Sequence, residues 1–245
     1  MKLGTGIILA AGRGSRLLQL TRATPKELLP IGGRPIIDYC IEVMRESGME
    51  RLIIVVGYHK KAIIDFVGSG SRYGIDVAYV FQEEQKGTGN ALLCAESFVS
   101  EDFSLMFGDD YIEPVSSLRT LAEAYFRNKS DAAVGVSKVE DARSTSIVKV
   151  EEGGKILDIV EKPKEMELWG NLGSNGTFIL NKKIFDYLRR TPIGLDNEIY
   201  LSDAIGIMVN ENMNVHAIEN SSYYRDIGIM DRYLSANKRF FKGQK

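Results

Sequence analysis

Cysteine and histidine are scarce in this sequence, with two of each among 245 residues. Cys40 and Cys94 cannot form a disulfide framework, and the apolar helical pattern around each predicts reduced core residues in a cytoplasmic protein. His59 and His216 have no cysteine, serine or acidic partner pattern around them. The sequence therefore argues against a disulfide-stabilised secreted domain, and we expect a catalytic role for neither histidine.

The chain also lacks a strong charge of either sign and a long apolar run. Its net charge is −2, whereas proteins that bind nucleic acid usually present a basic surface. No apolar segment approaches the roughly 20 residues that cross a bilayer. The residues before the first predicted strand have none of the features of a secretory signal peptide. We expect a cytoplasmic protein with small-molecule partners, and neither a nucleic acid nor a membrane as a partner.

Strand and helix patterns alternate through the first half of the chain. Apolar runs predict buried strands over residues 7–9, 52–56, 77–81 and 103–107. Helical spacing predicts helices over residues 36–44, 60–67 and 91–98. This alternation is typical of right-handed crossovers and a mainly parallel sheet. We predict a three-layer αβα, Rossmann-like α/β fold, whose ligands collect at the carboxyl ends of the strands.

The second half of the chain has shorter and less regular elements. A helix and a strand are predicted between residues 118 and 136, and a hairpin joins residues 148–150 to 156–160. A strand over 178–180, helices over 183–189 and 201–209, a strand over 215–218 and a helix over 230–240 complete the prediction. No repeat or long linker interrupts the chain, so we expect one globular domain over residues 1–245 with a mixed sheet.

A loop of small residues and arginines follows the first predicted strand. The stretch reads Leu9-Ala10-Ala11-Gly12-Arg13-Gly14-Ser15-Arg16, and Lys26 comes later on the same segment. Glycines allow backbone N–H groups to approach a bound anion closely, and arginine charge does not titrate near neutral pH. The combination predicts a triphosphate site.

The two glycines alone are a weak signal, so other nucleotide loops must be compared. A dinucleotide-binding fingerprint would have a third glycine where Leu17 stands, and prolines and glycines between residues 25 and 33 prevent a long helix from following. The G-x-x-x-x-G-K-[ST] motif of nucleoside triphosphatases is absent. A structural turn would explain the glycines but not the clustered cations, so a phosphate role is favoured.

Residues 9–39 also fit a longer pattern. They read L-A-A-G-x-G-x-R-L, then T-x-x-x-P-K, L-x-P and G-x-P-I-x-x-Y. This pattern resembles the sugar-phosphate nucleotidylyltransferases, which make UDP-, dTDP- and CDP-glucose and include relatives that act on phosphocholine. The resemblance implies a GT-A-like fold with a nucleotide half up to about residue 115 and an acceptor half over about 116–245. It also implies a homodimer or homotetramer as a possible assembly.

The segment from Gln82 to Leu92 is a candidate base-binding site. Gln82 offers the amide donor and acceptor groups that a pyrimidine edge requires, and Gly87 allows close backbone approach. Spacing alone fits equally well a helix start with Thr88 as the N-cap. The resemblance favours base binding by Gln82, Gly87 and Thr88.

Two acidic positions are candidates for a metal site. Asp109 and Asp110 follow Gly108 at a strand end, and carboxylates near phosphate oxygens suit Mg²⁺. Because neighbouring side chains on extended chain point in different directions, we expect one of the pair to bind the metal. An Asx turn or the acidic pair of a glycosyltransferase would give the same local signal. The resemblance implies that Asp109 and Asp226 are the ligands of Mg²⁺. From the sequence pattern alone, Asp226 would belong to the N-terminal cap region of the last helix, where carboxylates are favoured.

The acceptor site is expected around Glu161-Lys162-Pro163. By spacing alone this is a strand end with a surface ion pair. The resemblance implies that Glu161 binds sugar hydroxyls and Lys162 the sugar phosphate. It adds Gly108, Asn175, Gly176 and Tyr224 to the sugar-phosphate site. Many relatives have Tyr-Gly where this chain has Thr145-Ser146, which leaves the identity of the acceptor open.

The resemblance implies an enzyme that joins a nucleoside triphosphate to a sugar 1-phosphate and releases pyrophosphate. The residues with catalytic roles would be Arg16, Lys26, Asp109 and Lys162. The residues that bind the nucleotide would be Leu9, Ala10, Ala11, Gly12, Arg13, Gly14, Ser15, Gln82, Gly87, Thr88 and Asp109. UTP or dTTP with glucose 1-phosphate is the expected pair. The alternatives are a cytidylyltransferase acting on a sugar phosphate or phosphocholine, a non-catalytic regulatory subunit that binds nucleotide sugars, and a glycosyltransferase.

Overall fold

The computed structural model describes residues 3–164 and 169–242. Within them a nine-stranded sheet has the order β10-β9-β11-β6-β1-β4-β5, with β8 paired to β11 and β12 paired to β8. The strands are β1 Thr5–Ala10, β2 Pro30–Ile31, β3 Arg34–Pro35, β4 Arg51–Val56, β5 Asp76–Phe81, β6 Phe103–Phe107, β7 Asp110–Glu113, β8 Ala132–Lys138, β9 Ile147–Val150, β10 Ile156–Val160, β11 Leu172–Leu180, β12 Val215–Glu219 and β13 Tyr223–Asp226. The helices are α1 Leu18–Thr21, α2 Ile36–Glu46, α3 Lys60–Val67, α4 Thr88–Cys94, α5 Ser117–Arg127, α6 Ile184–Arg190, α7 Leu201–Asn210 and α8 Met230–Lys242.

The sheet is parallel in its first part and mixed beyond it. Strands β6, β1, β4 and β5 are mutually parallel neighbours. Strand β11 runs antiparallel to β6, β8 and β9, and its pairing with β8 shifts register between Ser174 and Phe178. Strands β9 and β10 form the expected antiparallel hairpin. The predicted mainly parallel, mixed sheet is therefore confirmed.

Helices cover both faces of the sheet because the central strands are apolar on both sides. Strand β1 is buried along its whole length. Ile7 and Leu9 belong to one core cluster, which contains buried residues of α4, α6 and α7. Ile8 and Ala10 belong to a second cluster, with buried residues of α2, α3 and α5. This alternation follows from the two-residue period of a strand and confirms the three-layer arrangement.

Strands β7 and β13 were not among the predicted elements. They pair antiparallel in a separate two-stranded sheet, which sets Asp110 opposite Asp226. Both strands are four residues long and contain charged side chains, so they lack the apolar pattern of a buried strand. Among the described residues, none of the helices has the length and apolar character needed to cross a membrane.

We predict that Phe103→Ala destabilises the fold strongly. The Phe103 side chain is fully buried and stacks on Phe185 with ring centroids 5.8 Å apart. Truncating a buried phenylalanine typically lowers the free energy of unfolding by about 3–5 kcal/mol. The matched control is Phe98→Ala, because Phe98 is 48% exposed, and it should cost less than about 1 kcal/mol. Urea denaturation measures both values, and equal losses would contradict this description of the core.

Candidate active site

A cleft of about 780 Å³ lies where the carboxyl ends of β1, β6 and β10 meet segments of the second half of the chain. Most of the predicted site residues line it: Leu9, Ala11, Gly12, Arg13, Gly14, Ser15, Arg16, Lys26, Gln82, Gly87, Thr88, Asp109, Glu161, Lys162, Gly176, Tyr224 and Asp226. The sheet topology therefore brings into one cleft residues that are up to 217 positions apart in the sequence, counted from Leu9 to Asp226.

Three other predicted residues are not part of the cleft lining. Ala10 is buried against the α2 face of the sheet, and the Gly108 N–H donates to the Leu9 carbonyl oxygen at 2.9 Å. Asn175 is fully buried and donates through Nδ2 to Asn220 Oδ1 at 2.7 Å. Side chains alternate along β11, so Gly176 lines the cleft and the neighbouring Asn175 side chain belongs to a buried polar cluster.

The loop after β1 forms a compact turn with cations beside it. Gly14 has φ of 62°, in the left-handed region that favours glycine, and Thr21 Oγ1 donates to its carbonyl oxygen at 2.9 Å. A Cβ built on Gly12 would lie 3.4 Å from Lys26 Nζ, so the ammonium group sits against the loop backbone. A Cβ on Gly228 would lie 3.0 Å from Arg16 Nη2. The loop backbone, Lys26 and Arg16 thus line the same cleft, where they can attract an anion.

Lys26 is the most strongly coupled cation of the cleft. Its Nζ donates to Asp109 Oδ2 at 2.5 Å. Burial alone would lower the pKa of Lys26, but the carboxylates of Asp109, Glu27 and Asp226 raise the pKa above its usual value. The ammonium group is therefore charged throughout the neutral pH range.

Glu27 is a site residue that the sequence prediction missed. It is 1% exposed, it lines the cleft, and neither carboxylate oxygen has a hydrogen-bond partner in the described part of the chain. Burial, partly offset by Lys26, raises its pKa from 4.5 to about 7. Only the position of Glu27 directly after Lys26 in an apolar segment could have indicated this role.

The predicted metal ligands are each paired with a protein cation. Asp109 binds Lys26, as described above, and Asp226 Oδ2 accepts from Arg232 Nη1 at 2.7 Å. The other oxygen of Asp226 accepts from the Gly228 N–H at 2.5 Å. Among the described residues, no group of three or more acidic, histidine or cysteine side chains has a geometry that could hold a metal ion. A cation that bound here would have to displace these internal partners.

Asp110 adds a third carboxylate to the same wall. Tyr224 donates its hydroxyl to Asp110 Oδ1 at 3.3 Å, and Oδ2 is buried without a partner among the described residues. Burial first, then Asp109 and Asp226, raise the pKa of Asp110 well above its usual value. Gly176 has φ of 73°, and a Cβ there would overlap Asp110 Oδ2. Glycine at 176 is therefore what leaves room for this carboxylate.

The side chain of Gln82 is anchored through its amide nitrogen, and its amide oxygen remains available as a hydrogen-bond acceptor. It is 4% exposed, and Nε2 donates to the Gly87 carbonyl at 3.1 Å and to Asn90 Oδ1 at 2.8 Å. Both amide hydrogens are thus used within the protein, so Gln82 can offer a ligand its carbonyl oxygen. Thr88 is the first residue of α4, and its hydroxyl accepts from the Leu201 N–H at 3.1 Å. The N-cap position of this helix belongs to Gly87 instead.

The side of the cleft that contains Glu161 and Lys162, where the acceptor site is expected, is rich in hydroxyl groups. Lys162 Nζ donates to Tyr200 Oη at 3.0 Å and to Asp196 Oδ2 at 3.1 Å. Burial would lower the pKa of Lys162, but these two partners raise it. Glu161 accepts through Oε2 from the hydroxyls of Ser146 and Ser202. The two side chains thus have separate partners and do not form the simple surface ion pair that spacing alone suggested.

We predict that Glu27 makes the stability of the protein depend on pH. Its pKa is higher in the folded protein, so the folded state binds this proton more tightly than the unfolded chain does. Glu27 therefore destabilises the fold progressively as the pH rises from 4.5 to about 7, by about 3 kcal/mol in total. The Glu27→Gln variant has no carboxylate to titrate. The difference in free energy of unfolding between this variant and wild type should therefore increase in favour of the variant by this amount between about pH 4 and about pH 8.

Urea denaturation at the two pH values measures that difference. Glu152→Gln, in an exposed turn, serves as the control and should show no such change. If the difference between Glu27→Gln and wild type were the same at both pH values, Glu27 would not titrate in this range.

Comparisons with known proteins agree with this geometry. The Nucleotidyl transferase family profile matches residues 5–242. The bifunctional protein GlmU of Methanococcus maripaludis is 36% identical over 96% of the chain, which spans only 54% of that protein. The UTP–glucose-1-phosphate uridylyltransferase of Staphylococcus epidermidis is 34% identical, with 93% of this chain and 88% of that protein covered. The chain thus spans about half the length of GlmU but most of the uridylyltransferase.

A solved structure supports the same relationship at the level of the fold. The crystal structure of a UDP-glucose pyrophosphorylase complexed with UDP-glucose has a TM-score of 0.90 and 29% sequence identity, covering 98% of this chain and 99% of its own. With the motifs of residues 9–39 and the cleft described above, these similarities show that the chain belongs to the nucleotidyl transferase family and is similar to its sugar-phosphate nucleotidylyltransferases.

Proposed function

We propose that this enzyme transfers a nucleotidyl group from UTP or dTTP to a sugar 1-phosphate, foremost glucose 1-phosphate, and releases pyrophosphate. The observation that carries the proposal is the set of cations that line one cleft. Arg13 and Arg16 lie on the loop after β1, Lys26 lies beside that loop, and Lys162 lies next to the hydroxyl-bonded Glu161. A triphosphate and a phosphorylated acceptor would both bind among these cations. Relatives named for UTP, glucose 1-phosphate and UDP-glucose support the same pair of substrates.

The reaction requires no protein nucleophile. An oxygen of the acceptor phosphate attacks the α-phosphorus, a new phosphorus–oxygen bond forms, and the bond to the β-phosphate breaks with its electron pair leaving on pyrophosphate. Catalysis then consists of alignment and of neutralising charge on the phosphates. Arg16 would hold the β- and γ-phosphates, Lys26 the α-phosphate and the incoming oxygen, and Lys162 the acceptor phosphate.

The base of the nucleotide would be recognised through a hydrogen bond to Gln82. The carbonyl oxygen of Gln82 can accept from the N3–H of uracil or thymine, while Gly87 provides close backbone contact. Cytosine has no N3–H, although its amino group could donate to the same oxygen. UTP and dTTP are therefore favoured, and CTP is the alternative nucleotide.

The carboxylates fit a requirement for Mg²⁺. This ion prefers carboxylate and phosphate oxygens as ligands, and Asp109, Asp110 and Asp226 all line the cleft. Asp109 and Asp226 would hold the ion after release from Lys26 and Arg232, and the ion would neutralise charge on the nucleotide phosphates. Lys26 would then be free to reach the α-phosphate.

Pyrophosphate release tests the proposal directly. UTP, dTTP and CTP are each incubated with Mg²⁺ and with glucose, galactose or N-acetylglucosamine 1-phosphate or phosphocholine. We expect the strongest release from UTP or dTTP with glucose 1-phosphate. Release only from CTP with phosphocholine would establish the cytidylyltransferase alternative. Nucleotide-sugar binding without release from any pair would favour the regulatory-subunit alternative.

We predict that Lys26→Ala lowers kcat by at least about 100-fold, because the α-phosphate loses the cation closest to the loop. Circular dichroism and the urea midpoint establish whether the variant is folded. Lys61→Ala is the control, since Lys61 is exposed and pairs with Asp65 on its own helix. A folded Lys26→Ala variant with near-normal turnover would contradict the assigned role.

We also predict that Arg232→Met strengthens metal binding. The change frees Asp226 Oδ2 from its 2.7 Å ion pair, so an incoming cation displaces one competitor fewer. Electron paramagnetic resonance with Mn²⁺, without substrates, should give a Kd several-fold lower than that of wild type. The matched control is Arg239→Met, because Arg239 lies on the same helix as Arg232 but pairs with Glu113 of β7. An unchanged or weaker Mn²⁺ affinity would show that Arg232 does not compete for this site.

A further inference from the structure

Two buried serines hold one oxygen of Glu161. Ser202 Oγ donates to Glu161 Oε2 at 2.9 Å, and Ser146 Oγ donates to the same oxygen. The two serines are 4% and 8% exposed. The other oxygen, Oε1, accepts no hydrogen bond from the described residues, and Glu161 lines the cleft. The carboxylate is therefore fixed at one oxygen and available at the other.

Three separate elements converge to produce this arrangement. Ser146 directly precedes β9, Glu161 directly follows β10, and Ser202 lies in α7. The carbonyl oxygen of Ser146 accepts from the Ser174 N–H at 2.8 Å, and Thr145 Oγ1 donates to the Ser174 carbonyl at 3.2 Å. The segment that carries Ser146 is thus fastened to β11 at two points, which defines the position of its hydroxyl.

Both serine hydroxyls donate to the same oxygen of Glu161. A carboxylate oxygen that already accepts two hydroxyl donors has little capacity left for a third. A hydroxyl group of the acceptor would therefore donate its hydrogen bond to the remaining oxygen. Hydroxyl groups of sugars and polyols are such donors.

We propose that Ser146 and Ser202 are positioning residues that present Glu161 Oε1 to one hydroxyl of the acceptor. This selects phosphorylated sugars or polyols with a free hydroxyl at that point over those that lack this hydroxyl. The inference rests on the proposed function and specifies the acceptor of the same site.

The test measures kcat and the KM of each substrate for wild type, Ser146→Ala and Ser202→Ala. We expect each alanine variant to raise the KM for glucose 1-phosphate about 5- to 20-fold, since one hydrogen bond to a charged group is lost. The KM for UTP and kcat should change by less than about 2-fold, because the serines touch neither the nucleotide loop nor Lys26. Ser130→Ala removes a similarly buried hydroxyl that pairs with His216 instead, and it should leave every constant unchanged.

Deoxy acceptors separate positioning from a general structural effect. With the 2-, 3- and 4-deoxy derivatives of glucose 1-phosphate, wild type should lose at least about 10-fold in kcat/KM for the one that lacks the hydroxyl bound by Glu161. In the alanine variants that penalty should shrink several-fold. Equal penalties in wild type and both variants would overturn the inference. Absence of pyrophosphate release by wild type with any triphosphate would instead overturn the proposed function.

Discussion

The cleft depends on a lysine that is buried among carboxylates. Burying one ammonium group costs several kcal/mol unless opposite charge surrounds it. Here Asp109 pairs with Lys26 at 2.5 Å, and Glu27 and Asp226 add to the field that keeps Lys26 protonated. Burial raises the pKa of Glu27 to about 7, Lys26 partly offsets this rise, and Asp109 adds to it. The protonation of each of these groups therefore depends on the charge of its neighbours.

This mutual dependence explains how the cleft could exchange partners without a large rearrangement. Each acid proposed to hold a metal ion already holds a cation of the protein: Lys26 for Asp109 and Arg232 for Asp226. Asp109 and Asp226 would hold a divalent ion only after they release these two side chains. Lys26 and Arg232 would then be available to the phosphate oxygens of a triphosphate.

The sheet topology brings the charged residues of the cleft together, and part of this topology can be predicted from the sequence. The strands up to β6 have apolar runs, and the loop after β1 has its glycines and arginines in one stretch, so this part of the cleft could be inferred locally. Strands β7 and β13 could not, because four-residue strands with charged side chains lack periodicity. Glu27 and Arg232 were missed because no motif contains them, and only the folded chain shows Glu27 buried in the cleft and Arg232 paired with Asp226. Asn175 was placed in the site by resemblance, whereas the alternation along β11 directs it into a buried polar cluster.

The most direct test of the central claim is a crystal structure of the protein with UDP-glucose and Mn²⁺, with the anomalous signal of manganese recorded. We predict that the uracil lies within hydrogen-bonding distance of Gln82 Oε1 and that a sugar hydroxyl donates to Glu161 Oε1. We also predict an anomalous peak between Asp109 and Asp226, with Arg232 displaced. A nucleotide sugar bound outside the cleft, or with its base against Ser146, would contradict these assignments.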